Sequence, residues 1–278
     1  GFTSVKLYMH LNREVAAAAI IAAHKRGMQV TGHIGAMTYR EAAEAGIDNI
    51  EHGFFDSTDF VRAKKEGELP VPAISQASLD ALKVDSPEVD ALIQLLISKH
   101  VALTSTLSVI EGFVAGRPLL STRVLDTLSA PARENYLAGW AKANERGSAM
   151  IPRFKKMMAL EKRFYDAGGL LAAGTDPTGW GNAVAGFGSV RAVELLVEAG
   201  LTPWQALQVA TLNGAKLLGV EKEVGTVEQG KAADLLVVAG NPLEDIAALR
   251  KVETVSKDGV GYDCARLIES VRGCVGIE

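Results

Sequence analysis

The sequence has few of the features that mark several large classes of protein. Its 278 residues include two cysteines, Cys264 and Cys274, which are too few for a disulfide framework, and we assign them no chemical role. No run of like charges is present, and the net charge of -4 gives no indication of a nucleic-acid partner. No uninterrupted apolar stretch reaches the roughly 18 residues of a membrane span.

These absences favour a cytoplasmic globular protein that binds neither nucleic acid nor membrane. The first residue is Gly1 and not methionine, which predicts a cut or processed end and leaves a signal peptide upstream open.

The sequence is rich in apolar residues and in regularly alternating segments. Hydrophobic residues make up 48% of the chain, enough for a large buried core and for more than one domain. Asn12 stands at an N-cap position, and Gly27 and Gly46 stand at helix ends. Alternating strands and helices predict parallel strands joined by helical crossovers. The predicted strands are residues 3–9, 28–32, 47–51, 101–107 and 168–174, and the predicted helices are residues 12–26, 38–45, 89–98, 190–199 and 203–218.

The strand ends indicate the type of sheet. Three of the five predicted strands end in a histidine or an aspartate, and the chemistry of a TIM barrel lies at the C-terminal ends of its strands. The predicted fold is therefore an α/β TIM barrel. A doubly wound sheet is the alternative, but no GxGxxG loop follows the first strand.

A (β/α)8 barrel needs eight strand–helix units, and the sequence supplies only about strands 4–8. Open sheet edges are a liability in solution. We therefore expect either a missing N-terminal barrel half in a longer protein or a second chain that completes the barrel, and a homo-oligomer is also open.

After Gly219 the pattern changes to short strands and glycine-rich turns. Residues 224–227, 230–231, 234–238 and 252–257 are candidate strands, and Asp258-Gly259 is a hairpin turn signal. We predict two domains, in which residues 1–218 form the C-terminal portion of the barrel and residues 219–278 form a β-sandwich module.

Four residues at or near strand ends are candidate metal ligands: Lys6 in SVKLY, His33 in VTGHIG, His52 in NIEHG and Asp176 in AGTDP. Imidazole nitrogen and carboxylate oxygen bind cations such as zinc. A lysine inside an apolar strand would be desolvated, which favours its neutral form, and a neutral amine can react with carbon dioxide to give a carbamate that bridges two metal ions. The alternatives are a lysine that extends to the surface and histidines that are structural.

The sequence around these residues resembles the amidohydrolase superfamily, in its imidazolonepropionase-like and Xaa-Pro-dipeptidase-like branch. Residues 3–53 resemble strands four to six of that branch, and AGTDP resembles the strand-eight motif. Residues 201–246 resemble its C-terminal signature, in which a helix pair leads into a β-sandwich. The strand-one HxH pair of the family is absent, because none of the five histidines forms an HxH.

The resemblance implies a role for each candidate ligand. Lys6 would be carboxylated, His33 and His52 would bind metal, and Asp176 would bind metal and act as general acid and base. The implied cofactor is Zn²⁺, binuclear in the complete enzyme. The absent HxH pair would hold the more buried metal, which leaves open whether this chain is active alone.

The implied function is metal-dependent hydrolysis of a carbon–nitrogen bond in a small molecule or dipeptide. Asp176 would take a proton from the attacking water and deliver it to the leaving nitrogen. One alternative is an incomplete or non-catalytic half that needs an N-terminal segment or partner chain, and another is a phosphotriesterase- or lactonase-like hydrolase. Tyr8, His10 and Asn182 are candidate substrate-binding residues.

Overall fold

Short apolar segments form the strands of a five-stranded sheet in the computed structural model, which describes residues 1–177 and 183–276. The first four strands pair in parallel, and the order in the sheet follows the order in the chain. Each strand lies inside a predicted segment and is shorter than it. The strands are β1 Ser4–Leu7, β2 Gln29–Gly32, β3 Asn49–Glu51, β4 Ala102–Ser105 and β5 Leu171–Ala173.

This sheet confirms the α/β class and the five predicted strands. It corresponds to part of a barrel wall, and within the described residues it does not close, because β1 and β5 are its edges.

Helices connect the strands, and their ends follow the capping signals of the sequence. The side chain of Asn12 accepts a hydrogen bond from the amide of Val15 (3.0 Å) and starts the first helix. Thr38 and Glu41 form the capping box of the second helix, and Gly46 ends it at φ 92°. The helices are α1 Arg13–His24, α2 Tyr39–Ala45, α3 Pro72–Ala81, α4 Pro87–Ser98, α5 Leu107–Glu111, α6 Thr122–Leu125, α7 Ala130–Glu145, α8 Met150–Asp166, α9 Phe187–Glu198, α10 Pro203–Ala210, α11 Leu212–Leu218 and α12 Cys264–Ser270.

The predicted helix at residues 203–218 is two helices. Thr211 breaks it at φ -124° and ψ -83°, and the Thr211 hydroxyl donates to the carbonyl of Leu207 (2.7 Å). Among the described residues, no helix is both long and apolar enough to cross a membrane.

The chain divides into two compact units. Unit 1 comprises Gly1–Ser105 and Lys155–Ala172, and unit 2 comprises Thr106–Phe154 and Ala173–Glu278. The predicted domain boundary after residue 218 stays a prediction.

The core of unit 1 lies between the sheet and the helices that follow its strands. Helix α4 buries residues spaced three and four apart, which is the stripe of an amphipathic helix, and α1 packs against β1 and β2. The apolar residues buried in this core include Ile20, Val30, Ile50, Leu92, Ile93, Leu96 and Leu103.

Unit 2 contains a network of three arginines and three glutamates. Arg117 makes two hydrogen bonds with Glu198 (2.7 and 2.6 Å), and such paired contacts are stronger than single surface ion pairs. Burial raises the pKa of Glu194, but the hydrogen bonds from Arg250 and Arg191 outweigh it and hold that pKa below its ordinary value. The network joins α5, α9 and the 3-10 turn Ile246–Arg250; its members are Glu111, Arg117, Arg191, Glu194, Glu198 and Arg250.

The C-terminal strands form a second, antiparallel sheet. Its strands, in order, are β6 Leu236–Val238, β7 Val252–Lys257 and β8 Val260–Asp263. Asp258 and Gly259 join β7 to β8 with φ angles of 52° and 80°, which confirms the predicted hairpin turn.

The predicted strands at residues 224–227 and 230–231 are wrong, because both segments form turns or bends. Gly225 and Gly230 are left-handed, at φ 96° and φ 90°, and a side chain at position 225 would collide with Ala215. The β-sandwich stays a prediction.

Candidate functional site

Two histidines meet at the C-terminal edge of the sheet in unit 1. His33 directly follows β2 and His52 directly follows β3, and neighbouring parallel strands end at the same edge. Their ring centroids are 4.4 Å apart at an interplanar angle of 66°. The prediction that strand ends bring these imidazoles together therefore agrees with the geometry.

The His33 ring is held from two sides. Its Nε2–H donates to Oδ2 of Asp56 (2.7 Å), and the ring of Tyr8 lies edge-on with a centroid distance of 5.2 Å. A carboxylate on one imidazole nitrogen fixes the orientation of the ring and makes the other nitrogen a better ligand. Nδ1 is thus the nitrogen of His33 that could bind a metal ion.

Lys6 lies on the adjacent strand, in register with Thr31. Its ammonium forms an ion pair with Glu51, whose Oε2 lies 3.9 Å from Nε2 of His52. The Thr31 hydroxyl donates to the other oxygen of Glu51 (2.9 Å). The expected desolvation of Lys6 is wrong, because its side chain is 46% exposed.

A buried carboxyl group lies next to Gly53, the residue that follows His52. The side chain of Glu161 on α8 is fully buried, and neither of its oxygens has a hydrogen-bond partner of normal geometry among the described residues. Burial raises the pKa of Glu161 to about 7, although the nearby Ser105 hydroxyl acts in the opposite direction.

Glu161→Gln is expected to change the pH dependence of stability. Between the ordinary glutamate pKa of 4.5 and the folded value of about 7, the carboxyl ionises in the unfolded chain before it does so in the folded chain. The contribution of Glu161 to the free energy of unfolding of the parent therefore falls as pH rises through this window, by up to about 3 kcal/mol, and is level above it.

The amide of Glu161→Gln does not titrate, so the stability difference between variant and parent should shift in favour of the variant from pH 4.5 to pH 8. Urea unfolding at several pH values measures it. A difference that stays constant over this range would contradict the buried, neutral carboxyl.

The remaining predicted site residues are Asp176, His10 and Asn182. Asp176 lies in unit 2, three residues beyond β5, and is half-buried at φ 46°; the preceding carbonyl, of Thr175, accepts a hydrogen bond from Ser108 (3.5 Å). Its place beside the histidines of unit 1 stays a prediction. His10 is exposed, and Asn182 lies outside the described residues.

The donor set fits one half of a metal site. Imidazole nitrogens are common zinc ligands, and His33 and His52 offer two of them side by side. Lys6 fits only as an anionic carbamate, because its ammonium would repel a cation. In residues 1–177 and 183–276, no group of three or more histidine, cysteine, aspartate or glutamate side chains is arranged to hold a metal ion.

Three acidic residues of this region were not predicted from the sequence. Glu51 had a usable signal, since it alternates with Asn49 on one face of a strand next to His52. The segment FFDST around Asp56 has no sequence pattern that indicates a role for this residue. Glu161 occupies an apolar position in the stripe of α8 that includes Met157 and Phe164, and this break in the stripe was the signal.

Comparison with known proteins places the chain in a family context. The sequence model of the amidohydrolase family matches residues 8–260. The 5-methylthioadenosine/S-adenosylhomocysteine deaminase of Moorella thermoacetica is 43% identical over 84 residues, which cover 28% of this chain and 19% of the relative. The adenine deaminase of Roseobacter denitrificans is 28% identical over 151 residues, which cover 53% of this chain and 24% of the relative.

A solved structure shares the fold. The structure of a Xaa-Pro dipeptidase with methionine bound in its active site superposes with a TM-score of 0.62 at 23% identity, covering 95% of this chain and 55% of the other. The matched segments thus cover about half of that dipeptidase and less than a third of each deaminase.

Proposed function

The chain belongs to the amidohydrolase family, and we propose that it hydrolyses a carbon–nitrogen bond of a small molecule or dipeptide with divalent metal ions. The observation that carries this proposal is the pair of imidazoles from adjacent strands, with ring centroids 4.4 Å apart. The deaminase names of the sequence relatives and the dipeptidase name of the structural relative agree with carbon–nitrogen chemistry.

We propose that His33, His52, Lys6 as a carbamate, and Asp176 hold the metal, which is zinc and binuclear in the complete enzyme. By complete enzyme we mean this chain with whatever segment or second chain completes its barrel. Divalent zinc supplies Lewis acidity, which polarises a carbonyl group and acidifies water.

The side chains of this chain would share the remaining work. Asp176 takes the proton of the attacking water and passes it to the leaving nitrogen. Asp56 keeps the His33 ring in one orientation through its 2.7 Å hydrogen bond. Tyr8, His10 and Asn182 are proposed to contact the substrate, and the contact of Tyr8 with the His33 ring supports the first of these.

A second proposal concerns the partner. Strand β1 is at an edge of the sheet within the described residues, and a sheet edge exposes unpaired backbone groups that recruit another strand. We propose that an N-terminal barrel segment or a second chain pairs with β1 and that catalysis needs it.

Product analysis tests the function. The chain alone and the complete enzyme, each loaded with zinc, are incubated with a dipeptide, an N-acyl amino acid, a cyclic amide, a urea, an aminopurine, a phosphotriester and a lactone. We expect release of ammonia, an amine or an amino acid from at least one carbon–nitrogen substrate, abolished by a chelator.

Turnover of the phosphotriester or lactone alone would contradict the carbon–nitrogen proposal. Equal activity of the chain alone and of the complete enzyme would contradict the need for a partner.

A further inference from the structure

The turn after β3 has an unusual backbone. His52 and Gly53 are both left-handed, at φ 68° and φ 56°. This conformation is disfavoured for a residue with a Cβ, and a non-glycine residue keeps it only when the surrounding structure holds it there. The direction of the His52 ring therefore depends on what holds this turn.

One side of the turn is fixed by backbone hydrogen bonds. The amide of Gly53 donates to the carbonyl of Thr104 on β4 (3.0 Å), and the amide of Phe55 donates to the carbonyl of His52 (3.0 Å). The first of these bonds ties the turn to the sheet, and the second closes the turn itself.

The other side is filled by Glu161. A Cβ built on Gly53 would lie 2.8 Å from Cδ and 3.0 Å from Cγ of Glu161, both shorter than an ordinary contact. The carboxyl end of Glu161 therefore occupies the space that a side chain at position 53 would take, and no residue other than glycine fits there without movement.

A carboxyl group is an unusual side chain for this buried place. An apolar side chain of similar size would fill the same volume without burying unpaired oxygens, which is unfavourable. A second side chain near Glu161, that of Tyr39, also has a buried polar atom, Oη, without a hydrogen-bond partner in the described structure. Burial raises the pKa of Tyr39 well above its ordinary value, and Asp56, Asp59 and Glu161 add to this. Glu161 and Tyr39 thus bring polar groups into the buried interior near Gly53.

We propose that Glu161 is a positioning residue, which fills the space beneath Gly53 and so holds the His52 imidazole beside that of His33. The contact itself stands on the geometry of unit 1, and only its consequence for catalysis rests on the proposed function. Glu161 touches neither substrate nor reacting atoms in this proposal, because it acts through the turn.

Nuclear magnetic resonance of the metal-free protein tests the contact directly. The chain has five histidines, so labelled imidazole rings give few signals, and His52→Gln and His33→Gln assign the two that matter. Glu161→Ala should shift the His52 and His33 signals, and Glu161→Gln should leave them near their parent positions, because it keeps the shape. Leu160→Ala is the matched control, since Leu160 is equally buried on the same helix and its truncation should move neither signal.

Cobalt titration measures the consequence. Supporting residues around a metal site typically contribute about 10–100-fold to affinity, so Glu161→Ala should weaken Co²⁺ binding by at least about 10-fold and change the visible spectrum. Glu161→Gln and Leu160→Ala should both stay within about threefold of the parent, because neither alters the space beneath Gly53.

Substitution of Gly53, the residue that faces Glu161, supplies an independent check. Gly53→Ala should lower the melting temperature strongly in the parent and less so in the Glu161→Ala background, because truncation removes the clash. If Glu161→Ala does not fold, Glu161→Asp shortens the side chain by one methylene and should produce smaller shifts of the same two signals.

Unmoved His33 and His52 signals in Glu161→Ala, or equal movement in Leu160→Ala, would overturn the positioning role. A complete enzyme that binds no Co²⁺ and hydrolyses nothing would sink the proposed function instead, and the metal-free spectra would still decide the role of Glu161.

Discussion

Asp176→Asn is expected to lower kcat of the complete enzyme by about 10²–10⁴-fold, the usual contribution of a general acid–base group. The asparagine keeps the shape of the side chain, and its amide oxygen can still coordinate metal weakly, but it cannot take a proton from water. Folding should be nearly unchanged. Steady-state kinetics, metal analysis and thermal unfolding of the variant measure the three quantities.

The matched control for Asp176→Asn is Asp234→Asn. Asp234 also lies in unit 2 and is paired with Lys257 at the surface (2.8 Å), so its substitution should leave kcat as it is. An Asp176→Asn enzyme with full metal content and near-normal kcat would show that another residue is the base, and the resemblance at AGTDP would then be structural only.

His33→Ala and His52→Ala should each lower the zinc affinity of the complete enzyme by more than about 100-fold. Loss of a residue that only hydrogen-bonds to a metal ligand typically lowers metal affinity by about 10–100-fold. A larger effect is expected here because these two residues are the proposed direct ligands. Asp56→Ala should fall in that lower range, since it only orients His33 through a hydrogen bond of 2.7 Å. Zinc stoichiometry and competition with a chelator give the affinities.

His24→Ala is the control for both histidine variants. His24 is exposed at the end of α1 and pairs with Asp48 (2.9 Å), so its loss should not change the zinc content. Unchanged stoichiometry in both His33→Ala and His52→Ala would refute the ligand assignment.

The fold was predictable where the determining signals are local. Asn12, Thr38 and Gly46 mark helix ends through contacts with residues a few positions away, and short-range patterns located all five strands. The histidine pair was predictable because parallel strands end at one edge, so two strand-end residues must be neighbours.

The rest depended on contacts between distant parts of the sequence. Lys6 forms an ion pair with Glu51 on another strand, which no local pattern announces. Glu161 stands out in the apolar stripe of α8, but its partner Gly53 is reached only through the fold. Thr211 interrupts a predicted helix and Gly225 interrupts a predicted strand, each through its backbone angles.

The most direct test of the metal site is anomalous diffraction at the zinc edge from crystals of the zinc-loaded complete enzyme. The account predicts a peak within about 2.0–2.1 Å of one nitrogen of His33 or of His52, the usual zinc–imidazole distance, with the other imidazole at the same ion or its neighbour. A zinc peak remote from both rings, with neither imidazole bound to metal, would contradict the account.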